Sequence, residues 1–209
     1  MAIITMPATL RVGPGCRIEQ ATFEVVSASD VTGSSQARPY GAPHWAMSLV
    51  SPANLGDTDA GTWKTMLLAL YGSVNYLLAF DPSRPAPLGS YRGAPVLASG
   101  ADAGATSIVI ADASQAGATL VAGDWLQIGA GLGTSQLVMV TAPGTANGSG
   151  IVTLSIQAPL RMAYLSSTPV AWSRAAGHFR RSPGSARSGW APTSPGVTQG
   201  FAIDLMEAW

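Results

Sequence analysis

The chain has 209 residues, of which 47% are apolar and only 11% are charged, with eleven basic residues balanced by eleven acidic ones. It is long enough to bury a core, but zero net charge lacks the basic excess that a general nucleic-acid or membrane-surface binder needs. A weakly charged surface is poorly protected against association, so the composition favours burial in an assembly. The single cysteine, Cys16, excludes an intrachain disulfide and a thiolate metal cage.

The N-terminal part predicts four strands and one helix. Strand-like runs cover residues 3–12, 21–26, 44–50 and 75–80, and the run at 3–12 is broken at Pro7. An apolar stripe at helical spacing follows the third run and consists of Trp63, Met66, Leu67, Leu70 and Tyr71. The candidate caps and stop of this helix are Asp57, Thr58, Asp59 and Gly72. We expect this single amphipathic helix to cover one face of a sheet.

Residues 81–93 predict a rigid surface segment. Three prolines fix its backbone, namely Pro82, Pro85 and Pro87. Arg84 and Arg92 flank this proline-rich part, and the segment holds no acid, thiol or imidazole beyond Asp81. Such a segment suits docking to another protein, so we expect Arg84 and Arg92 to face a neighbouring molecule.

The second half predicts a small barrel inserted in the first domain. Four short strands at residues 107–111, 125–129, 136–140 and 151–156 alternate with glycine-rich turns, which indicates a small antiparallel barrel or sandwich. The last strand-like run, which begins at Phe201, has to pair with something, and we expect it to pair with the first sheet. We therefore predict a mostly β protein with one amphipathic helix. Its domains are a β-sandwich-like domain of residues 1–93 with 173–209, and an inserted small antiparallel β-barrel of residues 94–172.

Residues 177–200 predict a long loop that contacts a partner. The loop contains Arg180, Arg181, Arg187 and Trp190 and has no acid. Arginine and tryptophan are enriched at the energetic centres of interfaces. A loop tryptophan that folds back on its own domain is the alternative. With Arg84, Arg92 and the terminal Trp209, these residues are the candidate interface.

No pattern in the sequence indicates catalysis. The histidines, His44 and His178, have no metal-ligand spacing, and no serine lies in a G-x-S-x-G elbow. The nearest acid pair, Asp57 and Asp59, is interpreted as helix capping. We therefore expect no catalytic residue, no cofactor and no metal. The N-terminus has no basic region before its apolar part, so we expect no signal peptide, synthesis in a cytoplasm and no membrane insertion.

Several short segments resemble one protein family. They are the run from Trp63 through Leu70, Asn75-Tyr76-Leu77, Asp81-Pro82, Pro87-Leu88-Gly89, Arg92-Gly93, Ala105-Thr106-Ser107, the stretch from Ala122 to Gly129, Asn147-Gly148-Ser149-Gly150, and the ending from Gln199 to Leu205. Together they resemble the distal tail and related minor tail proteins of long-tailed, siphovirus-like bacteriophages.

The resemblance implies a virion protein of the tail tip. It implies a ring, usually a hexamer with a trimer possible, that joins the tail tube protein to the distal hub or baseplate proteins and leaves a channel for DNA. The inserted domain would be like an oligonucleotide/oligosaccharide-binding barrel or a galectin. Carbohydrate binding is the alternative function, with Trp125 and Trp172 as sugar-stacking platforms. A cell-envelope hydrolase is the remaining alternative, and it needs facing carboxylates or a serine–histidine pair.

Overall fold

A computed structural model describes residues 1–39, 41–182, 192–194 and 197–208 of the chain. Among these residues, 41% lie in strands and 8% in helices with one α-helix, which confirms the predicted mostly β fold class. The strands are β1 (Ile3–Thr5), β2 (Arg17–Ala21), β3 (Glu24–Ala28), β4 (Ser35–Pro39), β5 (His44–Val50), β6 (Asn54–Gly56), β7 (Tyr76–Phe80), β8 (Val96–Leu97), β9 (Ser107–Ala111), β10 (Thr119–Leu120), β11 (Trp125–Ile128), β12 (Gln136–Val140), β13 (Gly144–Thr145), β14 (Ile151–Gln157), β15 (Val170–Ala171), β16 (Ala176–Arg181), β17 (Pro192–Ser194), β18 (Val197–Gln199) and β19 (Ala202–Glu207). The helix α1 is Asp57–Ala69, and one 3-10 turn covers Ala113–Gln115.

The first sheet has six strands in the spatial order β1-β7-β16-β19-β5-β2. The β1–β7 pair is parallel and the other neighbours are antiparallel. Strand β19 lies between β16 and β5, so the predicted pairing of the C-terminal strand with the first sheet is confirmed. Its side chains alternate, with Ile203 and Leu205 buried and Asp204 exposed, as expected for a strand with one face on a core.

Helix α1 buries most of its predicted stripe in the same apolar cluster as the first sheet. Trp63, Met66, Leu67 and Leu70 are all buried, and Trp63 stacks on Phe201 with the ring centroids 5.8 Å apart. The predicted fifth member of the stripe is wrong. Tyr71 is 75% exposed because the helix ends at Ala69 and Tyr71 turns to a positive φ of 46°.

The predicted capping of α1 is also wrong. The N-cap residue is Gly56, and no side chain caps the helix. Asp57, Thr58 and Asp59 lie inside the first turn, where the two carboxylates suit the positive end of the helix dipole. Asp59 pairs instead with Arg11, with its Oδ2 3.1 Å from Arg11 Nη1.

The second six-stranded sheet, here called the barrel, has the order β15-β11-β12-β14-β9-β8 and is antiparallel throughout. Its two end strands meet, so the sheet is nearly closed. The backbone N–H of Leu97 donates to the Thr168 carbonyl and that of Val170 to the Pro95 carbonyl, both at 2.9 Å. This near closure covers most of the edge that a flat sheet of this size would expose.

Two apolar clusters form the interior. One draws on residues 6–80, 125–139 and 175–205, and the other on residues 91–170. Trp125 and Leu137 are barrel residues by pairing but belong to the first cluster, so the two cores meet along β11 and β12. The predicted domain boundaries at residues 93 and 173 stay a prediction, because this shared surface leaves no clean gap between the cores.

Three segments differ from the prediction. Only Ile3–Thr5 of the run at residues 3–12 pairs as a strand. The run at residues 21–26 is divided, because β2 pairs with β5 and ends at Ala21, whereas β3 pairs with β4. The predicted loop at residues 177–200 begins as the buried central strand β16, where pairing with apolar neighbours on both sides outweighs its polar sequence.

Candidate functional site

The strap, residues 81–93, is fixed to the barrel from its first residue. Asp81 Oδ1 accepts from the backbone N–H of Ser83 at 2.8 Å and from the Ser83 hydroxyl at 2.6 Å. The other oxygen, Oδ2, accepts from Trp125 Nε1 of the barrel at 3.1 Å. Both carboxylate oxygens are therefore used inside the chain.

The middle of the strap is held by Asp124, which is fully buried. Its carboxylate accepts from the backbone N–H groups of Leu88 and Val121, both at 2.8 Å, which satisfies the buried charge. Beside Leu88, a Cβ on Gly89 would lie closer than 3.0 Å to the carbonyl oxygen of Thr119. Gly89 therefore makes a backbone contact that only glycine allows.

Arg92 holds the end of the strap together. Its Nη1 donates to the carbonyls of Gly89 at 2.8 Å and Tyr91 at 2.6 Å. Its guanidinium also lies 5.2 Å from the ring centroid of Trp172, whose Nε1 donates to the Gly93 carbonyl at 2.6 Å. The guanidinium of Arg92 is therefore occupied by its own chain, and its predicted contact with a neighbour stays a prediction.

Arg84 differs from Arg92, because its guanidinium has no hydrogen-bond or ion-pair partner in the part of the chain that the structure describes. The side chain is half-buried and lies on Gly123, where a Cβ would be closer than 3.0 Å to Nη1. Gly123 has a φ of +87°, a conformation that other residues rarely adopt. The absence of a side chain at Gly123 therefore lets the guanidinium of Arg84 pack flat on the backbone. The N–H groups of that guanidinium remain available as hydrogen-bond donors.

Arg180 and Arg181 lie on β16 and not on a loop, which corrects the prediction. Arg180 donates to the hydroxyl of Tyr76 and stands 4.2 Å over its ring. Arg181 is 4% exposed, and burial lowers the pKa of its guanidinium below its usual value. The other predicted interface residues, Arg187, Trp190 and Trp209, lie outside the described residues.

The two tryptophans proposed as sugar platforms do not share a groove. Trp125 is 6% exposed and meets Trp45 edge-on, with ring centroids 4.8 Å apart. Trp172 is half-buried beside Arg92. An indole as covered as Trp125 offers no open face for a sugar ring, so core packing accounts for it better.

An ion pair locks the barrel to the first sheet. Arg161, in the loop after β14, binds both carboxylate oxygens of Glu207 on β19, and the two side chains are 12% and 3% exposed. Glu207 also accepts from the backbone N–H of Trp45 at 2.9 Å, while Trp45 Nε1 donates to the Leu137 carbonyl at 2.9 Å. A bidentate pair this buried fixes orientation as well as contact.

His178 lies at the same boundary. It is 4% exposed on β16, and its Nδ1 is 3.1 Å from the hydroxyl of Ser135 in the barrel. Burial lowers the pKa of His178 below its usual 6.5, and the nearby carboxylate of Glu207 partly opposes this. A histidine kept neutral in this way is a packing and hydrogen-bonding residue here.

Strands β3 and β4 form an exposed hairpin, here called the free hairpin (residues 24–39). Every residue of β3 is exposed, including Val25 at 56% and Val26 at 58%, which point to opposite faces. Among the described residues, the two strands pair with each other and with no further strand. The predicted strand-like run at residues 21–26 overlaps β3, but its pairing with β4 was missed, although the turn residues Asp30 to Gly33 were a signal.

The described residues contain no group of three or more histidine, cysteine or acidic side chains placed to hold a metal ion. None of their helices combines the length and the apolar character that a bilayer crossing requires. A comparison of the sequence with protein-family models and with curated proteins finds no match.

Proposed function

We propose that this chain is a structural component of a bacteriophage tail tip, which forms a ring between the tail tube and the distal hub or baseplate. The proposal rests on the resemblance of α1, β7, the strap and β19 to distal tail proteins, and the free hairpin is the structural observation that supports it. In this function the chain binds copies of itself, the tube protein and hub proteins, and it carries no catalytic group.

The free hairpin argues for a partner on energetic grounds. An isolated two-stranded hairpin is marginally stable at best in water, because it has no apolar face to bury. Here Val25, Val26 and Val31 are all more than half exposed, and neither face of the ribbon packs on the rest of the described chain. A neighbouring molecule that covers the ribbon would remove this apolar surface from water.

The position of the hairpin favours a head-to-tail contact between copies. Along the chain the hairpin follows β2 and precedes β5, the two strands on one side of the first sheet, and β1 is the edge strand on the other side. At that end Met1 and Ile3 are exposed by 86% and 44%, beside a groove of about 510 Å³ between β1 and α1. Two different contact surfaces at opposite ends of one sheet produce a heterologous interface, which closes as a ring or continues as a filament.

The lock between barrel and first sheet suits a structural role. The pair of Arg161 with Glu207 and the contact of Trp45 with Trp125 hold the barrel at a fixed angle. In a ring, each barrel would therefore project in the same direction from its subunit.

The experiment measures the mass of the purified chain by size-exclusion chromatography with light scattering, alone and mixed with its tube protein. We expect a species several times 21.3 kDa. The double variant Val25→Ser, Val26→Ser should shift it to the monomer. The control Leu165→Ser removes a side chain that is equally apolar and 80% exposed on the barrel side, and it should leave the assembly intact. A wild-type monomer that never joins copies or tube protein would overturn the proposal.

A further inference from the structure

We propose that a surface at the end of α1 binds the tip of the free hairpin of a second copy of this chain, with Tyr71 as the anchor and Asp30 of the hairpin beside Lys64. This contact rests on the proposed function, because it names the surface that receives the hairpin when copies assemble. The receiving surface, here called the α1 end, consists of Lys64, Leu68, Tyr71 and Val74.

Three apolar side chains follow one another along the α1 end. Leu68, Tyr71 and Val74 are all exposed, Tyr71 by 75%. The backbone N–H of Tyr71 donates to the Leu68 carbonyl at 3.0 Å and that of Val74 to the Tyr71 carbonyl at 3.3 Å, so each side chain lies one turn after the one before it. A group of large exposed apolar side chains is typical of a surface that another molecule covers.

Tyr71 holds a strained backbone conformation that no contact of its side chain offsets. Its φ is 46°, in the left-handed region that glycine adopts freely and tyrosine rarely does. In the part of the chain that the structure describes, its ring and its hydroxyl have no partner. Strained residues of this kind gather at binding sites, and tyrosine is enriched at the energetic centres of interfaces. The conformation therefore points to a partner outside the chain.

The α1 end lies at the β1 end of the first sheet. Asn75 connects the two, because its Nδ2 donates to the Ala69 carbonyl of α1 and its Oδ1 accepts from the backbone N–H of Ala2, both at 2.8 Å. Strands β1 and β2 are opposite edges of the six-stranded sheet, and the free hairpin follows β2. The two surfaces of one chain are separated by the width of the sheet, so the hairpin of one copy meets the α1 end of another.

The tip of the free hairpin presents one acidic and one apolar side chain. The backbone N–H of Ser29 donates to the Ser34 carbonyl and that of Gly33 to the Ser29 carbonyl, both at 2.9 Å, which fixes the loop. Asp30 and Val31 remain exposed, Val31 by 94%, and the Asp30 carboxylate has no partner among the described residues. A loop that its own backbone bonds hold in place presents both side chains with little further ordering on binding.

The charges of the two surfaces are opposite. Asp30 is the only charged residue among residues 25–37, and Lys64 is the only one among residues 60–80. Lys64 lies one helical turn before Leu68 and therefore on the same face of α1. Each surface is thus a single charge beside exposed apolar side chains. Opposite charges at such a contact fix its register and exclude wrong partners.

The variant Tyr71→Gly separates binding from folding. Glycine removes the ring and relieves the positive φ, so we expect a higher midpoint of thermal unfolding in the dilute monomer. Self-association, measured by light scattering over a series of concentrations, should weaken by about tenfold or more. The control Ser167→Gly relieves a positive φ of 66° at an exposed barrel residue, and it should leave self-association unchanged.

Exchange of the two charges tests their pairing. Asp30→Lys and Lys64→Asp should each weaken self-association by about tenfold, because each brings like charges together, and the double variant should restore most of it. A double variant that associates no better than the single ones would overturn the pairing.

The same measurements distinguish this contact from the proposed function. Wild-type assembly that neither Tyr71→Gly nor the single charge variants weaken would overturn the contact and leave the proposed function standing. A wild-type chain that associates neither with itself nor with the tube protein would overturn both. A Tyr71→Gly chain that keeps its self-association and loses binding to the tube protein would also overturn the contact, since the α1 end would then receive a different protein.

Discussion

His178 illustrates how a single buried side chain in this fold couples stability to pH. The unfolded chain binds a proton at this residue near its usual pKa of 6.5, whereas burial keeps the folded-state pKa lower. The unfolded state therefore binds more protons as the pH falls, so stability is present above pH 6.5 and is lost as the pH falls through the folded-state pKa.

We expect the free energy of unfolding from urea titrations to be lower at pH 5 than at pH 7.5, by a smaller amount in His178→Gln than in the wild type. The variant Ser135→Ala keeps the imidazole and loses its hydroxyl neighbour, so it should retain the wild-type dependence on pH. An unchanged pH dependence in His178→Gln would contradict this account of the residue.

The two strap arginines show what sequence can and cannot predict at this scale. Both were predicted to contact a neighbour on the basis of residue type and a rigid proline-rich setting. Arg92 bonds within its own chain because a turn brings the carbonyls of Gly89 and Tyr91 close to its Nη1. No local sequence pattern predicts that turn. The contact of Arg84 with Gly123 joins residues 39 positions apart in the chain (123 minus 84), so local sequence does not predict it either.

At the scale of elements, the strap acts as a clamp on the barrel and not as a free arm. Gly89 meets the backbone of β10, and Asp124 binds the neighbouring N–H groups of the strap. A side chain at position 89 would have to displace the backbone of Thr119 and Leu120. Packed backbone moves less easily than the end of a flexible side chain.

We expect Gly89→Ala to lower the free energy of unfolding by about 1–3 kcal/mol or more. The control is Gly61→Ala in the middle of α1, where an added Cβ meets nothing within 4 Å. That variant should raise the free energy of unfolding by about 0.5–1 kcal/mol, because alanine loses less backbone entropy in a helix. Thermal and urea unfolding measure both changes, and a Gly89→Ala protein as stable as the wild type would show that the strap yields there.

Strands with apolar alternation were predictable, and those placed by their neighbours were not. The runs at residues 44–50, 107–111 and 136–140 form strands with the predicted bounds. Strand β16 was missed because glycine, histidine and two arginines carry no strand pattern, yet pairing on both sides imposes the conformation. Strand β4 was missed for the opposite reason, since residues 35–38 are all exposed and no buried face imposes a period on them.

On the scale of the whole molecule, the chain has two apolar cores, and the buried ion pair of Arg161 with Glu207 links the sheets around them. The insertion of the barrel was predicted from the strand-like C-terminus, whose pairing with the first sheet the structure confirms. The lock itself could not be predicted, because Arg161 and Glu207 meet only after both sheets have formed.

We expect Glu207→Ala to lower the free energy of unfolding by about 3–5 kcal/mol, since it leaves the guanidinium of Arg161 largely buried without its counter-ion. The matched control is Arg11→Ala, which breaks the exposed pair with Asp59 and should cost about 0.2–1 kcal/mol. Equal losses in the two variants would mean that the lock contributes no more than a surface ion pair. Hydrogen exchange at β11 and β12 should rise in Glu207→Ala if the barrel loosens from the first sheet.

Electron cryo-microscopy of the purified chain, alone and with its tube protein, tests the proposed ring most directly. We predict a closed ring with a central channel, in which the free hairpin of each subunit, with Val25 and Val26, lies against the β1 end of the next. A monomer, a two-fold dimer without a channel, or a ring whose hairpins point into solvent would contradict this account.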